Sequence, residues 1–322
     1  MHNIEYQYIA VVNNHKNKLH MHDLNTNFRK FLELAKNILS EDLDNDGNFK
    51  AYRHLPKMPD IDIIALALCQ EALSIDSENY FWSKLRKDYS KEFPNLIHLT
   101  RYNLRKKTLL PHIDKFNRKL AGNLNEGENY YIVDSMPVPI CKISREKRVK
   151  ACCQNYETAP DKGYSSAIKQ YFIGYKLHLV ISSNGVFQSM DISKASIHDI
   201  YYLSDIKYSG LNNCTLMADK GYLSAEFQTD LFNYSQIRLE TPKRNNQKCY
   251  KPYPYVFKRS RKRVETLFSQ LCDQFMLKRN YAKSFWGLST RIMSKLASVT
   301  ALQYFNYING LPLNHIKHAL AA

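Results

Sequence analysis

Apolar side chains in the first third of the chain follow a helical period. After Asp60, apolar residues recur three and four positions apart, which predicts an amphipathic helix with Asp60 as its N-cap. Two further helices are predicted at 79–89 and 100–120, and Pro111 is expected to kink or break the second of them. The residues on the apolar face of the first helix are Ile61, Ile64, Ala65, Leu68, Cys69, Ala72 and Leu73.

From about residue 129 the pattern changes to short β-prone runs separated by helical segments. A strand is predicted at 130–134 and a hairpin at 171–192, around a Ser-Asn-Gly turn. The other predicted elements are strands at 214–219 and 237–240 and helices at 198–205, 225–232, 260–277 and 288–309. This order predicts an α/β fold, with a mixed sheet flanked by helices. The predicted division of the chain is an N-terminal extension (1–57), a helical domain (58–122), a mixed-sheet domain (123–310) and a C-terminal tail (311–322).

The charge balance of the chain points to an acidic partner. Its 322 residues include 46 Lys and Arg against 30 Asp and Glu, which gives a formal net charge of +16. An excess of this size favours a polyanion as the partner and argues against a site for cationic substrates. The glycine-rich motifs of P-loop and dinucleotide-binding proteins are absent from the sequence, so no nucleotide cofactor is predicted.

The cysteines and the apolar runs indicate an intracellular protein. Seven cysteines without a C-x-x-C pair predict free, mostly buried thiols rather than disulfides or a zinc site. The longest apolar run, 63–69, is far shorter than the ~20 residues needed to span a bilayer. The first residues lack the basic and apolar regions of a signal peptide. We therefore expect a cytoplasmic protein with no membrane contact.

The predicted helical domain is rich in cations. Residues 84–119 contain eleven Lys and Arg against three acids, and three helices with a basic last helix resemble a helix-turn-helix unit on a phosphate backbone. A small helical bundle with an incidentally basic surface explains this segment equally well. In the DNA-binding interpretation, the contact residues are Arg101, Arg105, Lys106 and Lys107.

Three carboxylates stand out by their context. Asp134 and Asp219 each end a predicted strand, where ligands bind in open α/β sheets, and Glu265 lies beside the buried stripe of a predicted helix. Carboxylate oxygens are ligands for Mg²⁺, and two such ions can assist phosphoryl transfer. Asp134 would bridge both ions, while Asp219 and Glu265 would each hold one. Each acid alone is explained as well by an ordinary role, a turn for Asp219 and an ion pair with Arg261 for Glu265.

Cations surround the predicted acidic site. Residues 242–263 contain nine Lys and Arg and no acid, which suits binding of a phosphodiester backbone. Lys176 and His178 alternate along one strand, so both are expected to face the metal site or the DNA. The predicted DNA contacts in this part of the chain are Lys176, His178, Lys220, Arg259, Arg261, Lys262 and Arg263.

Five short motifs resemble those of the DDE transposases of bacterial insertion sequences. They are VDSMPVP at 133–139, GYKLHL at 174–179, ASIHD at 195–199, ADKGY at 218–222 and Arg261-x-x-x-Glu265. The resemblance covers about residues 58–300. Some members of that family carry a tyrosine three residues before the arginine and a lysine seven residues after the glutamate, where this chain has Lys258 and Cys272.

The resemblance implies an RNase H-like catalytic domain preceded by a helical domain. It further implies that Asp134, Asp219 and Glu265 gather around Mg²⁺ or Mn²⁺, with two ions at the site. The implied activity is cleavage of DNA at the ends of a mobile element and strand transfer into target DNA. The implied partners are the terminal inverted repeats and the target DNA, bound by a homo-oligomer that pairs the two ends.

Two other functions agree with the same residues. A metal-dependent nuclease that cuts DNA without joining it would use the same acids and ions. A non-catalytic DNA-binding protein would use only the basic helices. Separation of the three carboxylates in the folded chain would favour this last function.

Overall fold

The chain forms a mixed sheet flanked by helices in its described residues, 23–165, 169–242 and 255–320 of a computed structural model. The helices are α1 (Leu24–Ile38), α2 (Asp60–Ala72), α3 (Glu78–Asp88), α4 (Leu99–Thr108), α5 (Leu110–Leu124), α6 (Leu203–Ile206), α7 (Ala225–Ser235), α8 (Tyr255–Asp273) and α9 (Phe285–Ile308). The strands are β1 (Tyr130–Cys141), β2 (Asp161–Ser165), β3 (Gln170–Ser182), β4 (Phe187–Lys194), β5 (Thr215–Met217) and β6 (Arg238–Glu240). This architecture, with its helical N-terminal region, confirms the predicted α/β fold class.

Helix α1 lies in a segment where the sequence pattern predicted no element. Asp23 caps it, because Asp23 Oδ2 accepts the N–H of Thr26 at 2.9 Å. Phe31 on its inward face meets Phe305 of α9 edge to face, with ring centroids 5.6 Å apart. The other buried apolar residues of α1 are Leu24, Phe28, Leu34 and Ala35. Helix α1 is therefore part of the packed core.

The segment predicted as a helix at 100–120 forms two helices, α4 and α5, which meet at Leu109. Pro111 is in the first turn of α5. Proline is tolerated there, because the N–H groups of a first turn have no acceptor inside the helix and the fixed φ of proline suits a helix start. Pro111 therefore breaks the predicted helix, one of the two outcomes expected.

The sheet combines an antiparallel part with a parallel part. Its order is β2-β3-β1-β5-β6. Strand β4 also pairs with β3, along the part of β3 that follows the part paired with β2. Strand β1 is antiparallel to β3 and parallel to β5, and β5 is parallel to β6. The prediction that β1 ends at Asp134 is wrong, since β1 continues to Cys141. The continuation carries Pro137 and Pro139, which a strand tolerates where only one neighbour pairs with it.

The two faces of the sheet contribute to two separate cores. Alternate residues of β1 point to opposite faces. Ile132 and Met136 join a large core with helices α1 to α5, α8 and α9, whereas Tyr131 and Val133 join a smaller core with Tyr202. Helix α9 is buried along most of its length and links the N-terminal helices to the sheet. No helix in the described part of the chain is both long and apolar enough to cross a membrane.

A cluster of buried charges connects α2 to α9. Glu71 of α2 accepts from Arg291 Nε at 3.3 Å and forms an ion pair with Lys295, and all three side chains are nearly inaccessible to solvent. Lys295 Nζ also donates to the carbonyl of Phe275 at 2.6 Å. Burial lowers the pKa of Lys295, because the charged form loses its hydration, and the charge of Glu71 opposes that shift. Glu71 therefore compensates for two buried cations.

The variant Glu71→Gln should lower the free energy of unfolding by about 3–5 kcal/mol, because removing one partner leaves buried charge uncompensated. Urea unfolding at pH 7.5 measures this loss. Lys84→Gln is the matched control, since it removes the partly exposed Lys84–Asp88 pair and should change the free energy by less than about 1 kcal/mol. Equal losses in the two variants would contradict a stabilising role for the buried cluster.

Candidate active site

Asp134 and Asp219 each lie two residues beyond the last paired residues of two adjacent parallel strands. Ile132 of β1 pairs with Met217 of β5, and each aspartate follows its strand residue by two positions. Because side chains alternate between faces, a two-residue step returns both aspartates to the face of Ile132 and Met217. Both aspartates line one small cavity, together with Ile132, Val133, Met217, Ala218, Phe257 and Arg261. The structure therefore brings together the two aspartates that the sequence singled out.

The carboxyl group of Asp134 is held in a poorly hydrated position. Burial raises the pKa of Asp134 to about 6, and the charges of Asp219 and Asp199 act in the same direction. The Ser135 N–H, which donates to Asp134 Oδ1 at 2.8 Å, and the charge of Arg261 oppose the shift. The two opposing contacts compensate only part of the charge of the Asp134 carboxylate.

Asp219 lies two residues beyond the end of β5 and shapes the turn that follows. Its Oδ1 accepts the N–H of Gly221 at 2.7 Å. A Cβ at Gly221 would lie 2.9 Å from the same oxygen, so glycine lets the carboxylate fold over the turn. Asp219 Oδ2 lies 3.9 Å from Arg261 Nη2. Asp219 therefore has the turn role considered from the sequence and also faces the cavity.

Glu265 is placed by α8 but is not gathered with the aspartates. Val264, Leu267 and Leu271 are the buried side chains that fix the rotation of α8. The side chain of Glu265 is 61% exposed, and its Oε1 lies 3.8 Å from Arg261 Nε. Arg261 thus stands between Asp219 and Glu265. Within the described ranges, no group of three His, Cys, Asp or Glu side chains is arranged to hold a metal ion, and the assignment of Glu265 to the site stays a prediction.

The donor set of the aspartate pair fits a hard divalent cation. Such ions take carboxylate oxygens, keep several waters and need few protein ligands. Asp134 and Asp219 supply carboxylates on one face, and burial leaves the carboxylate of Asp134 poorly hydrated. Arg261 is the nearest described cation to Asp219, and its contacts of 3.8–3.9 Å are too long for hydrogen bonds. A metal ion at this pair would therefore meet no tightly bound competitor.

Two of the predicted DNA contacts in the helical region are internal. Arg105 Nη2 donates to Asp60 Oδ1 at 2.6 Å, and Arg105 Nη1 donates to the carbonyl of Met58 at 2.6 Å. Lys106 is buried in an ion pair with Glu78. The prediction that Arg105 and Lys106 contact DNA is therefore wrong, because both cations hold helices together. Arg101 is exposed and Lys107 is half-buried.

The prediction for His178 is also wrong. His178 is 1% exposed and lies on the sheet face opposite Asp134, where it stacks on Tyr202 with ring centroids 5.0 Å apart. Its Nε2 lies 2.8 Å from Ser193 Oγ. Burial lowers the pKa of His178 to about 4, so the ring is neutral at pH 7. A neutral, buried imidazole does not contact DNA.

Lys176 holds the segment of the ASIHD motif in place. Its Nζ pairs with Asp199 Oδ1 at 2.9 Å and donates to the carbonyl of Ile197 at 2.8 Å. His198 Nδ1 accepts the N–H of Ile200 at 3.2 Å, which is a capping role. The motif is therefore explained first by local structure. The charge of its acid, Asp199, nevertheless helps to raise the pKa of Asp134.

Several exposed cations lie close in sequence to the residues that line the cavity. Lys220 follows Asp219 in the turn, and on α8 the side chains of Arg259, Lys262 and Arg263 are exposed while that of Arg261 is half-buried. The part of the basic run at 243–254 lies outside the described residues. Lys220, Arg259, Lys262 and Arg263 stay predicted DNA contacts.

Sequence reasoning missed Tyr222, which completes the ADKGY motif. The side chain is 1% exposed. Burial raises the pKa of its hydroxyl, and the charges of Asp199, Asp134 and Asp219 add to that shift. The spacing of Tyr222 after Asp219 does not predict this position. The turn at Gly221 is what places the Tyr222 ring close to the acids. The Tyr222 ring packs in the smaller core, close enough to the acids for their charges to act on its hydroxyl.

The variant Asp134→Asn should stabilise the metal-free protein at pH 7.5. The pKa of Asp134 is higher in the folded state, about 6, than in the unfolded state. The native state is therefore most favoured below the unfolded pKa and loses stability as the pH rises from there through about 6. Removing the ionisation should add about 2–3 kcal/mol to the free energy of unfolding at pH 7.5, and the gain should fade near pH 4. Urea unfolding in EDTA at both pH values measures it.

Asp161→Asn serves as the control of opposite sign. Hydrogen bonds from Ser196 and from the Lys162 N–H lower the pKa of Asp161, so losing its ionisation should not stabilise the fold at pH 7.5. A pH-independent gain in Asp134→Asn, or no gain, would contradict the desolvation of Asp134.

Comparison with known proteins assigns the chain to a family. Residues 126–300, more than half of the chain, match the family model of the transposase DDE domain. No curated protein and no solved structure matches. Proteins with this domain are nucleic-acid-processing enzymes that act on DNA and generally depend on divalent metal ions. The matched segment contains Asp134, Asp219 and Glu265 together with the whole mixed sheet. The chain therefore belongs to the DDE-type transposases.

Proposed function

We propose that this chain cuts DNA at the ends of a mobile element and joins the freed ends to target DNA. The observation that carries the proposal is that Asp134 and Asp219 follow two paired parallel strand segments by the same number of residues and line one cavity, inside the matched transposase domain. The proposed catalytic residues are Asp134, Asp219 and Glu265. The proposed partners are the terminal repeats of the element and the target DNA, held by a homo-oligomer that pairs two ends.

Asp134 and Asp219 would hold the metal. We propose Mg²⁺ or Mn²⁺, with two ions at the site. Such ions, when bound, stabilise the attacking and leaving oxygens of an in-line phosphoryl displacement. With a pKa of about 6, Asp134 is ionised at pH 7.5 and can act as a ligand. Asp219 is fixed by its bond from the Gly221 N–H, which leaves Oδ2 on the cavity side.

Glu265 and Arg261 would act as an exchangeable pair. Both lie on the same face of α8, one turn apart, and the Glu265 carboxylate is exposed. When Arg261 turns toward a DNA phosphate, Glu265 and Asp219 both lose their present counterion. Their carboxylates are then available as ligands, and Arg261 supplies a charge-assisted contact to the backbone.

The exposed cations near the site would bind the phosphate backbone. Lys220, Arg259, Lys262 and Arg263 lie within a few residues of the proposed ligands, and Arg101 and Lys107 add charge on α4. Contacts of this kind carry no sequence information and weaken steeply with salt. They would place a strand across the acidic cavity.

A second candidate function, DNA binding without catalysis, is favoured by the pairing of Glu265 with Arg261. That pairing leaves only two acids in the cavity. A third candidate, a nuclease that cuts without joining, uses the same residues as the leading proposal. Cleavage and joining assays separate the three functions.

The variants Asp134→Asn, Asp219→Asn and Glu265→Gln should each reduce cleavage of an element-end duplex more than about 100-fold, since metal ligands supply several kcal/mol of transition-state stabilisation. Binding of the same duplex in EDTA should change less than about threefold, because the backbone contacts remain. Gel assays with Mg²⁺ measure both quantities. Glu226→Gln, a change at an exposed acid on α7, is the control and should cut normally. Normal cleavage by Glu265→Gln would remove that residue from the site.

Joining of a pre-cut end tests strand transfer directly. A duplex with a free 3′ hydroxyl at the element end should be joined to a plasmid in Mg²⁺, since that hydroxyl replaces water as the nucleophile in the same displacement. A labelled product of plasmid size measures the reaction. Cleavage without joining would assign the chain as a nuclease, and the absence of both reactions together with retained DNA binding would assign it as a binding protein.

A further inference from the structure

A second cavity, of about 700 Å³, opens away from the aspartate pair. It lies where the start of α3, the inner side of α4 and the start of α9 meet. One link to the acidic site runs through Phe285, next to Ser284 of the cavity wall: its ring is 5.5 Å from Tyr175, which pairs with Val138 of β1. Val138 is four residues from Asp134, or about 13 Å along the strand. The cavity is therefore a separate feature of the molecule.

The wall of this cavity is strongly positive. Lys106, Lys107, Lys283 and Arg291 line it, against one acid, Glu78. The charges just behind the wall compensate one another, because Lys295 contacts Glu71 and Arg279 lies 3.8 Å from Asp76. Because Lys106 is paired with Glu78, the excess of three cations at the wall comes from Lys107, Lys283 and Arg291. Neither Lys107 nor Lys283 uses its ammonium group in an ion pair within the described residues, so both are available to a ligand.

A buried donor in the wall has no partner. The side chain of Arg291 is 5% exposed, and its Nε contacts Glu71 Oε1. Its Nη2 finds no acceptor among the described residues. Asn103, which also lines the cavity, has a buried Oδ1 without a donor. Buried polar atoms are nearly always paired in native proteins, so this orphan donor and this orphan acceptor offer two hydrogen-bonding positions to a polar ligand.

Two helix starts also face the cavity. Ser77 caps α3 and Ser284 caps α9, and each hydroxyl satisfies one first-turn N–H, that of Tyr80 and that of Gly287. The other N–H groups of a first turn have no acceptor inside their helix. Together with the positive end of each helix dipole, they favour an anion.

We propose that this cavity binds the phosphate group of a nucleotide. The cations and helix starts match a phosphate, the orphan acceptor of Asn103 matches a hydroxyl or amino donor, and Tyr281 at the wall is 65% exposed and can stack on a base. The nucleotide comes either free or as part of a DNA strand, and the chemistry of recognition is the same. The proposal does not depend on the catalytic role of Asp134 and Asp219.

Calorimetric titration in EDTA tests the site with two probes, dAMP and a 5′-phosphorylated single-stranded decanucleotide. The wild-type chain should bind at least one probe saturably. The double variant Lys107→Gln/Lys283→Gln should weaken that binding at least tenfold. Lys36→Gln/Lys87→Gln is the matched control, because it removes the same charge from exposed lysines outside the cavity and should change binding less than twofold. The lysine variants avoid the buried ion cluster around Arg291, so both double variants should stay folded.

The outcomes separate the two sources of the ligand. Lysine-dependent binding of dAMP assigns a free nucleotide, and lysine-dependent binding of the decanucleotide alone assigns a nucleotide within a strand. Binding should persist in Asp134→Asn whether or not that variant cuts DNA, which distinguishes this site from the catalytic one. No saturable binding of either probe, or equal weakening in the two double variants, would overturn the proposal.

Discussion

The parallel pairing of β1 with β5 is the constraint on which the acidic site depends. The two strands come from distant parts of the chain, and their register aligns Ile132 with Met217. A shift by one residue would turn either Asp134 or Asp219 to the opposite face of the sheet, since side chains alternate. The register is fixed by burial, because Ile132 and Met217 pack in the large core while Tyr131 and Leu216 pack in the small one. The packing of two cores therefore determines the position of two carboxylates.

Buried charges are arranged differently in the helical part of the fold and at the sheet. In the helical part, Glu71 offsets Arg291 and Lys295, and Glu78 offsets Lys106, so the buried cations have partners close by. At the sheet, burial raises the pKa of the Asp134 carboxyl, and the Ser135 N–H and the charge of Arg261 offset that shift only in part. The first arrangement stabilises the native state, whereas the second costs stability unless a cation is supplied. Unfavourable burial of an ionisable group is expected where a site is built to bind a ligand.

The local sequence pattern predicts helices and strands better than it predicts the contacts that individual side chains make. Short apolar runs singled out Asp134 and Asp219, and the structure brings the two together, although Asp134 lies inside β1 rather than at its end. Arg105 and Lys106 were misassigned because their partners, Asp60 and Glu78, lie 45 and 28 residues away, and spacing does not reveal an ion pair at such separations. Strand β1 was ended too early because prolines mask its second half, and His178 was misplaced because the alternation that pairs it with Lys176 does not say which face is buried.

The position of Glu265 follows from the packing of α8 rather than from its own contacts. Val264, Leu267 and Leu271 are buried, so the helix cannot rotate without exposing them. Glu265, one residue after Val264, is then held about 100° around the helix, at the edge of the buried face. Any approach to Asp219 must come from rotation about side-chain bonds, and Arg261, one turn earlier, now occupies that path with contacts of 3.8 and 3.9 Å. The helix therefore fixes how far the Glu265 side chain can extend toward Asp219. The position of the Arg261 guanidinium group determines whether that path is open.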